Sequence, residues 1–315
     1  MKKLFLILTV FTMLFFVGCN SEPAEWLTDL DQATLAAEES GKDLLIFFSG
    51  LDWDGYSEQF ISDILSQEKF LKEVGKDYVA LQLNLVLDEQ NLTEDEIVKN
   101  QNTYLLAYSM GVSSVPTLIA ASSDTIPYGA IQYGPDSDIQ TVTKEVKELQ
   151  ETGKTIKSLK AKLEKATGVN KAKLIDALYN SVAEEFTYQF QDLIIEFPSL
   201  DPENKTGKLG KYKLILAYDE SLAIFNESGD ITAATQVFID LAESGLLDSE
   251  GYQTAYYMAA YLESYGGKII TENTIPYLQK AYDADPEGEA ADSILTTLQA
   301  LQESQFSEEA TGEQQ

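Results

Sequence analysis

Two stretches of this chain constrain its fold more than any others. Asp43–Ser49 (DLLIFFS) and Tyr78–Val86 (YVALQLNLV) are nearly unbroken apolar runs of strand length. A strand with one wet face alternates polar and apolar residues. A strand without alternation is buried on both faces, inside a sheet that helices cover above and below. Between the two runs, Ser57–Val74 carries helical periodicity through Phe60, Ile61, Ile64, Leu65 and Leu71. Ahead of them, Ala33–Ser40 reads as a short helix stopped by Gly41. Beyond them the pattern predicts a helix over Gln101–Met110, strands at Val115–Ala120 and Ile126–Tyr133, and a closing helix that begins with Ile139, Val142, Val146 and Leu149. That order describes an α/β unit with a small mixed sheet over residues 25–151.

Composition narrows the chemistry. The 315 residues hold 52 acids and 22 cations, for a net charge of −30, and every cation is lysine. There is no histidine, and Cys19 is the only cysteine. Such a chain has no imidazole base, no Ser-His or Cys-His nucleophile, no internal disulfide and no His- or Cys-rich zinc site. The charge repels nucleic acid, so no nucleic-acid partner is expected.

The segments FFSGLDWDGYSEQF (Phe47–Phe60) and QNTYLLAYSMGVSSVPT (Gln101–Thr117) resemble the thioredoxin-like proteins of bacterial envelopes. In that family a strand ending in F-x-G leads to W-C-x-x-C at a helix N-terminus, and a V-P-T with a cis proline follows. Trp53, Gly55, Val115 and Pro116 keep their places, while Asp54 and Ser57 stand where the family has its two cysteines. Thiol–disulfide exchange needs a thiolate that attacks a sulfur, which neither carboxylate nor hydroxyl supplies. The resemblance therefore implies a redox-silent domain that is not an enzyme and needs no cofactor. What can persist is a groove of Trp53, Asp54, Gly55, Tyr56, Ser57, Val115 and Pro116 that takes an extended polypeptide by strand addition.

The acidic loop offers an alternative. Asp52, Asp54 and Glu58 are hard oxygen ligands, weak candidates for calcium or for a metal-dependent enzyme, although their spacing does not follow an EF-hand. Asp54 also sits where a helix-capping residue belongs, and capping is the simpler reading. Two acids in glycoside hydrolysis need a defined separation across a cleft, which so acidic a chain cannot signal by sequence. Ser57 has no lysine near it in sequence to act as its base.

At the N-terminus, Lys2-Lys3, the apolar run Leu4–Val17 and Gly18-Cys19 read as an export signal over residues 1–18, too short for a membrane span. Phe16-Val17-Gly18-Cys19 resembles the bacterial lipobox, with Phe in place of the usual Leu. This implies lipidation at Cys19, a tether over 19–24 and a membrane-anchored envelope protein.

Lys144–Lys173 holds nine lysines and four acids, a basic stretch in a very acidic chain. It reads as a connector helix over 152–173 whose lysine face is solvated or neutralises neighbouring acids; contact with anionic lipid headgroups is the sharper alternative. Residues 174–301 are predicted all-helical. Two stretches resemble tetratricopeptide repeats: one through Leu222, Phe225, Gly229, Ala234, Phe238 and Leu241, the other through Tyr265-Gly266-Gly267, Leu278, Ala281 and Pro286. AYYMAAY (Ala255–Tyr261) suits core packing better than a binding face. Residues 302–315 are polar and acidic and are expected to be a disordered tail.

Together these readings give an α/β thioredoxin-like domain followed by an all-α TPR-like domain. The protein they describe is a lipid-anchored polypeptide-binding or scaffold module of the cell envelope.

Overall fold

A computed structural model of the chain describes residues 23–264 and 271–312, with side chains to residue 303. The export signal, Cys19 and Tyr265-Gly266-Gly267 lie outside the described residues. No helix among the described residues is long and apolar enough to cross a membrane. The chain divides into two compact units, with the boundary at Lys154/Thr155.

The first unit is built on five strands: β1 (Trp26–Leu27), β2 (Asp43–Ser49), β3 (Tyr78–Asn84), β4 (Thr117–Ala121) and β5 (Pro127–Gln132). Their order is β1-β3-β2-β4-β5. β3 runs parallel to both β1 and β2, and β4 is antiparallel to both β2 and β5. β2 is central and all seven of its residues are buried, as its lack of alternation requires. Leu44, Ile46 and Phe48 pack on Ala33, Ala37, Ala107 and Met110. These come from or directly follow α1 (Leu30–Ser40) and α4 (Glu94–Ser109). On the other face Phe47 meets Phe60 edge-on at 5.7 Å, and Phe60 stacks on Tyr133 at 4.5 Å.

The single helix expected over 57–74 is three pieces: α2 (Gly55–Phe60), one π turn (Ile61–Leu65) and α3 (Glu68–Asp77). The wider π turn buries Ile64 and Leu65, and Trp26 Nε1 donates to the Leu65 carbonyl at 3.2 Å. The helix read over 101–110 starts earlier, at a Thr93–Glu96 capping box.

α5 (Ile139–Leu163) is one continuous helix, and the unit boundary falls inside it. The expected connector over 152–173 is thus not a separate helix. Its first part belongs to α5, and the chain restarts as α6 (Gly168–Tyr179) after a break at which Gly168 takes a positive φ. Several lysines of the basic stretch pair with acids: Lys147 with Glu73, Lys154 with Asp77 and Glu151, and Lys171 with Glu196.

The second unit is all-helical from α6 onward. A 3₁₀ segment (Glu184–Phe190) is followed by α7 (Gln191–Leu200), α8 (Leu209–Ser228), α9 (Ile231–Glu243), α10 (Ser249–Glu263), α11 (Thr274–Ala284) and α12 (Ala291–Gly312). From α8 on, each helix packs against the next, and α8 also meets α10, so the hairpins stack. Ala234, Phe238, Leu241, Leu278 and Ala281 are buried at these contacts, but Leu222 stands in solvent, unlike a repeat-core residue. In AYYMAAY the alanines Ala255, Ala259 and Ala260 pack inward, while Tyr257 and Tyr261 are exposed.

The backbone of α12 continues to Gly312, so the tail expected to be disordered is helical over most of its length. Its Gln, Glu and Ala are good helix formers, and a helix already nucleated on the core extends through them without needing apolar periodicity.

Candidate functional site

The loop between β2 and α2 carries Trp53 and Asp54, and Gly55, Tyr56 and Ser57 follow at the start of α2. β2 ends at Ser49 and β4 begins at Thr117, and Phe48 pairs with Thr117, so the start of α2 and Pro116 lie along the same end of the sheet, here called the Pro116 edge. The Val115–Pro116 peptide bond is cis, and Tyr133 N donates to the Pro116 carbonyl at 3.4 Å. Thr117 Oγ1 donates to the Ser114 carbonyl at 2.8 Å and fixes the turn before the proline.

Asp54 caps α2. Its backbone is extended, and Oδ2 accepts from Ser57 N at 2.9 Å and from Ser57 Oγ at 2.7 Å. Ser57 is fully buried, and its Oγ also accepts from Gly50 N at 3.0 Å. The hydroxyl thus spends its proton on a carboxylate and a lone pair on a backbone amide. It is held as a structural link with no described base beside it other than Asp54.

Gly50 N–H is not the only group that ties this loop down. Asn84, at the end of β3, accepts from Leu51 N at 2.7 Å and from Ser49 Oγ at 3.3 Å. Asn100 on α4 clasps the chain beyond β3. It accepts from Val86 N at 3.0 Å and donates to the Val86 carbonyl at 2.9 Å and to Glu89 Oε1 at 2.7 Å. Sequence reading missed both asparagines. The available signals were a polar residue inside YVALQLNLV and another on the inward side of a helix.

Trp53 is half exposed, and its indole N–H donates to the Leu85 carbonyl at 2.8 Å. The ring lies over Gly50, where a Cβ would fall 2.5 Å from Trp53 Cε2, so only glycine leaves room for it. The structure therefore leans Trp53 toward the exit of β3. Tyr56 is more than half exposed on the first turn of α2. Gly55 opens that helix with open space where a Cβ would stand.

The three acids weighed as metal ligands point to separate tasks. Asp52 Oδ2 accepts from Leu87 N at 2.9 Å and Asp88 N at 3.4 Å. Desolvation works against its charge, but the amides of Leu87 and Asp88 and the Asn84 side chain outweigh it and hold the carboxyl below its ordinary value. Asp54 is committed to Ser57, and Glu58 is exposed on α2. Among the described residues no three acidic or cysteine side chains converge as a metal-holding group.

Residues 30–134 match the family described as the thioredoxin-like domain. The first unit is a thioredoxin-like domain. Residues 209–307 match a second family, described as an uncharacterised protein C-terminal domain. Over 286 residues the chain is 23% identical to an uncharacterized protein of Treponema pallidum (strain Nichols), spanning 90% of this chain and 92% of that one. Among solved structures, a chain titled DsbH Oxidoreductase shares 19% identity at a TM-score of 0.36, over 42% of this chain and 88% of that chain. The architecture is thus a thioredoxin-like domain with a helical domain after it, as the sequence led one to expect.

Proposed function

We propose that this protein is a redox-inactive thioredoxin-fold lipoprotein that binds polypeptide in the bacterial cell envelope, anchored through lipid on Cys19. The Asp54–Ser57 pair carries this reading. Both positions where the family resemblance calls for sulfur hold oxygen side chains, and these are hydrogen-bonded into the helix cap. Electron transfer through them has no thiolate to start from. The elements that frame the site remain: the capped start of α2, the Pro116 turn and an exposed Trp53 and Tyr56 beside them. Strand addition beside Val115 and Pro116 is the recognition mode we assign here, and stacked helical hairpins such as those of the second unit are themselves a polypeptide-binding architecture.

Two measurements test the reading. The wild-type chain is expected to leave insulin disulfides intact in a turbidity assay, whereas turnover there overturns redox silence. A photoreactive residue in place of Tyr56 is expected to crosslink to a polypeptide in intact cells; no crosslink overturns binding at this edge. For the anchor, metabolic labelling with a radioactive fatty acid is expected to mark the wild type and not Cys19→Ser.

A further inference from the structure

α4 is turned the unusual way round. It buries Asn100, Thr103 and Ala107, yet Val98, Leu105 and Tyr108 stand 55%, 66% and 85% exposed. Tyr104 is exposed beside them, and its hydroxyl donates to the Val86 carbonyl at 3.3 Å. One residue back, the Leu85 carbonyl takes the Trp53 indole N–H, and Leu87, the next residue on, is 68% exposed. Successive carbonyls at the exit of β3 thus hold the polar tips of two aromatic side chains. Part of each ring stays in water, Trp53 being 48% and Tyr104 38% exposed, and both are fixed in place before anything binds. Large apolar groups are normally the ones a helix hides, each worth about 1.5–3 kcal/mol when covered. A run of them on one helix and its neighbouring loop marks a contact surface.

The charge around this face states what covers it. Between Lys42 and Lys69, and again between Lys76 and Lys144, the sequence has one lysine, Lys99. That lysine is engaged with Asp29 at 3.6 Å and with the Thr28 carbonyl at 3.4 Å. Asp52, held ionised by the Leu87 and Asp88 amides, lies beside the rings, with Asp88, Glu89, Glu94 and Asp95 along the same loop and the first turn of α4. Aromatic faces set among uncompensated carboxylates favour cations, by cation–π attraction and by long-range steering.

We infer that the exposed face of α4, with Tyr104, Leu105 and Tyr108 at its centre and Trp53 and Leu87 at its edge, docks a lysine- or arginine-bearing apolar segment of another protein. This inference deepens the polypeptide-binding reading above and rests on it. It moves the main contact from the Pro116 edge to α4.

The test uses the full chain and three labelled 12-residue peptides, alternating Lys-Leu, Ser-Leu and Glu-Leu, titrated by fluorescence anisotropy. The Lys-Leu peptide is expected to bind at least tenfold more tightly than the Ser-Leu peptide, and the Glu-Leu peptide not at all. Raising the salt to 0.5 M is expected to weaken it strongly, through screening of the rim charges. Tyr104→Ala with Tyr108→Ala leaves the net charge unchanged, so merely electrostatic adhesion would ignore it; a loss of at least tenfold is expected. Tyr108→Lys, which replaces the ring with a long side chain carrying a positive charge, is expected to weaken binding as much. Both variants alter exposed side chains, and an unchanged melting curve verifies that they fold. Equal binding of the Ser-Leu peptide, or indifference to the tyrosine variants, overturns the inference. Loss on Tyr56→Ala with full binding by the tyrosine pair also overturns it, but leaves the Pro116 edge standing as the binding site. A concentration-dependent dimer in sedimentation that the tyrosine pair abolishes would make a second copy the occupant and likewise overturn it.

Discussion

Ser57 Oγ and Asp54 Oδ2 lie 2.7 Å apart, with the serine hydroxyl donating, and the same carboxylate oxygen accepts from Ser57 N. One contact therefore does two jobs: it caps α2 and it closes the two helix positions onto each other. Removing the carboxylate leaves the Ser57 amide and hydroxyl without this acceptor. Asp54→Ala is expected to lower stability by about 1–2 kcal/mol, the usual worth of an N-cap. Urea unfolding followed by tryptophan fluorescence reports it, since Trp26 and Trp53 both lie in the first unit. Asp54→Ser, which retains a capping oxygen, is expected to recover most of the loss.

The same closeness predicts how sulfur would behave there. The Asp54 and Ser57 side chains already meet across one helical turn, and the Gly50 amide already points at the Ser57 position. In a Cys19→Ser background, Asp54→Cys with Ser57→Cys is expected to form a disulfide in air and to reduce insulin slowly. Thiol titration before and after a reductant checks the first expectation, and the turbidity assay the second. Two thiols that stay free under oxidant would mean that the loop has lost the geometry as well as the atoms.

The frame of this site was legible because its signals are local. β2 occupies Asp43–Ser49 as read, since a run with no polar residue in its middle has only one place in a sheet. Asp54 at a loop–helix junction reads as a cap, and it caps. What escaped reading depends on partners distant in sequence. Asn84 and Asn100 matter because the folded sheet brings the loops at Leu51 and Val86 to them. Trp53 was read as part of a groove with Pro116, but the hold of its N–H on the Leu85 carbonyl, 32 residues away, shows only once the chain is folded. The π turn at Ile61 keeps its apolar residues at near-helical spacing, so periodicity does not reveal it. Which side of the helix Tyr104 and Tyr108 face is set by what its other side packs on, which no local pattern shows.

At the opposite end of β2, α5 crosses a polar cluster with no room to spare. Tyr128 Oη donates to Asp43 Oδ2 at 3.0 Å and lies 3.2 Å from Tyr78 Oη. Burial first, then the neighbouring Tyr78 and Asp43, push the Tyr128 phenol far above its ordinary range, so it stays a donor at any physiological pH. A Cβ at Gly153 would fall 2.7 Å from both Asp43 Oδ2 and Tyr128 Oη. Gly153→Ala raises helix propensity, yet here it is expected to destabilise the first unit by about 1–3 kcal/mol through overpacking. Gly153→Ala in a Tyr128→Phe background removes one clashing oxygen, and a smaller loss there would locate the effect at this cluster. A melting temperature unchanged by Gly153→Ala would refute the packing.

In the second unit, Asp201 is fully buried in the turn between α7 and α8. Its Oδ1 accepts from Lys205 N at 2.8 Å, and its Oδ2 from Thr206 N at 2.8 Å and Thr206 Oγ1 at 2.6 Å. Desolvation opposes the charge, but Thr206, the Lys205 amide and the Lys205 ammonium overcome it and hold the carboxyl below its usual value. A carboxyl whose folded value is depressed adds stability at all pH above its unfolded value, near 4. That contribution fades as pH falls through the lower, folded value and the ionised form is lost. Asp201→Asn replaces an acceptor oxygen with an amide donor that faces backbone N–H groups. At pH 7 it is expected to cost about 1–3 kcal/mol and to speed hydrogen exchange at the Lys205 and Thr206 amides at least tenfold. As the pH is lowered below 4 the wild type should approach the variant, because protonation removes from one what substitution removed from the other. A wild-type advantage that stays constant from pH 7 to pH 2 would show that the carboxylate charge does not hold this turn.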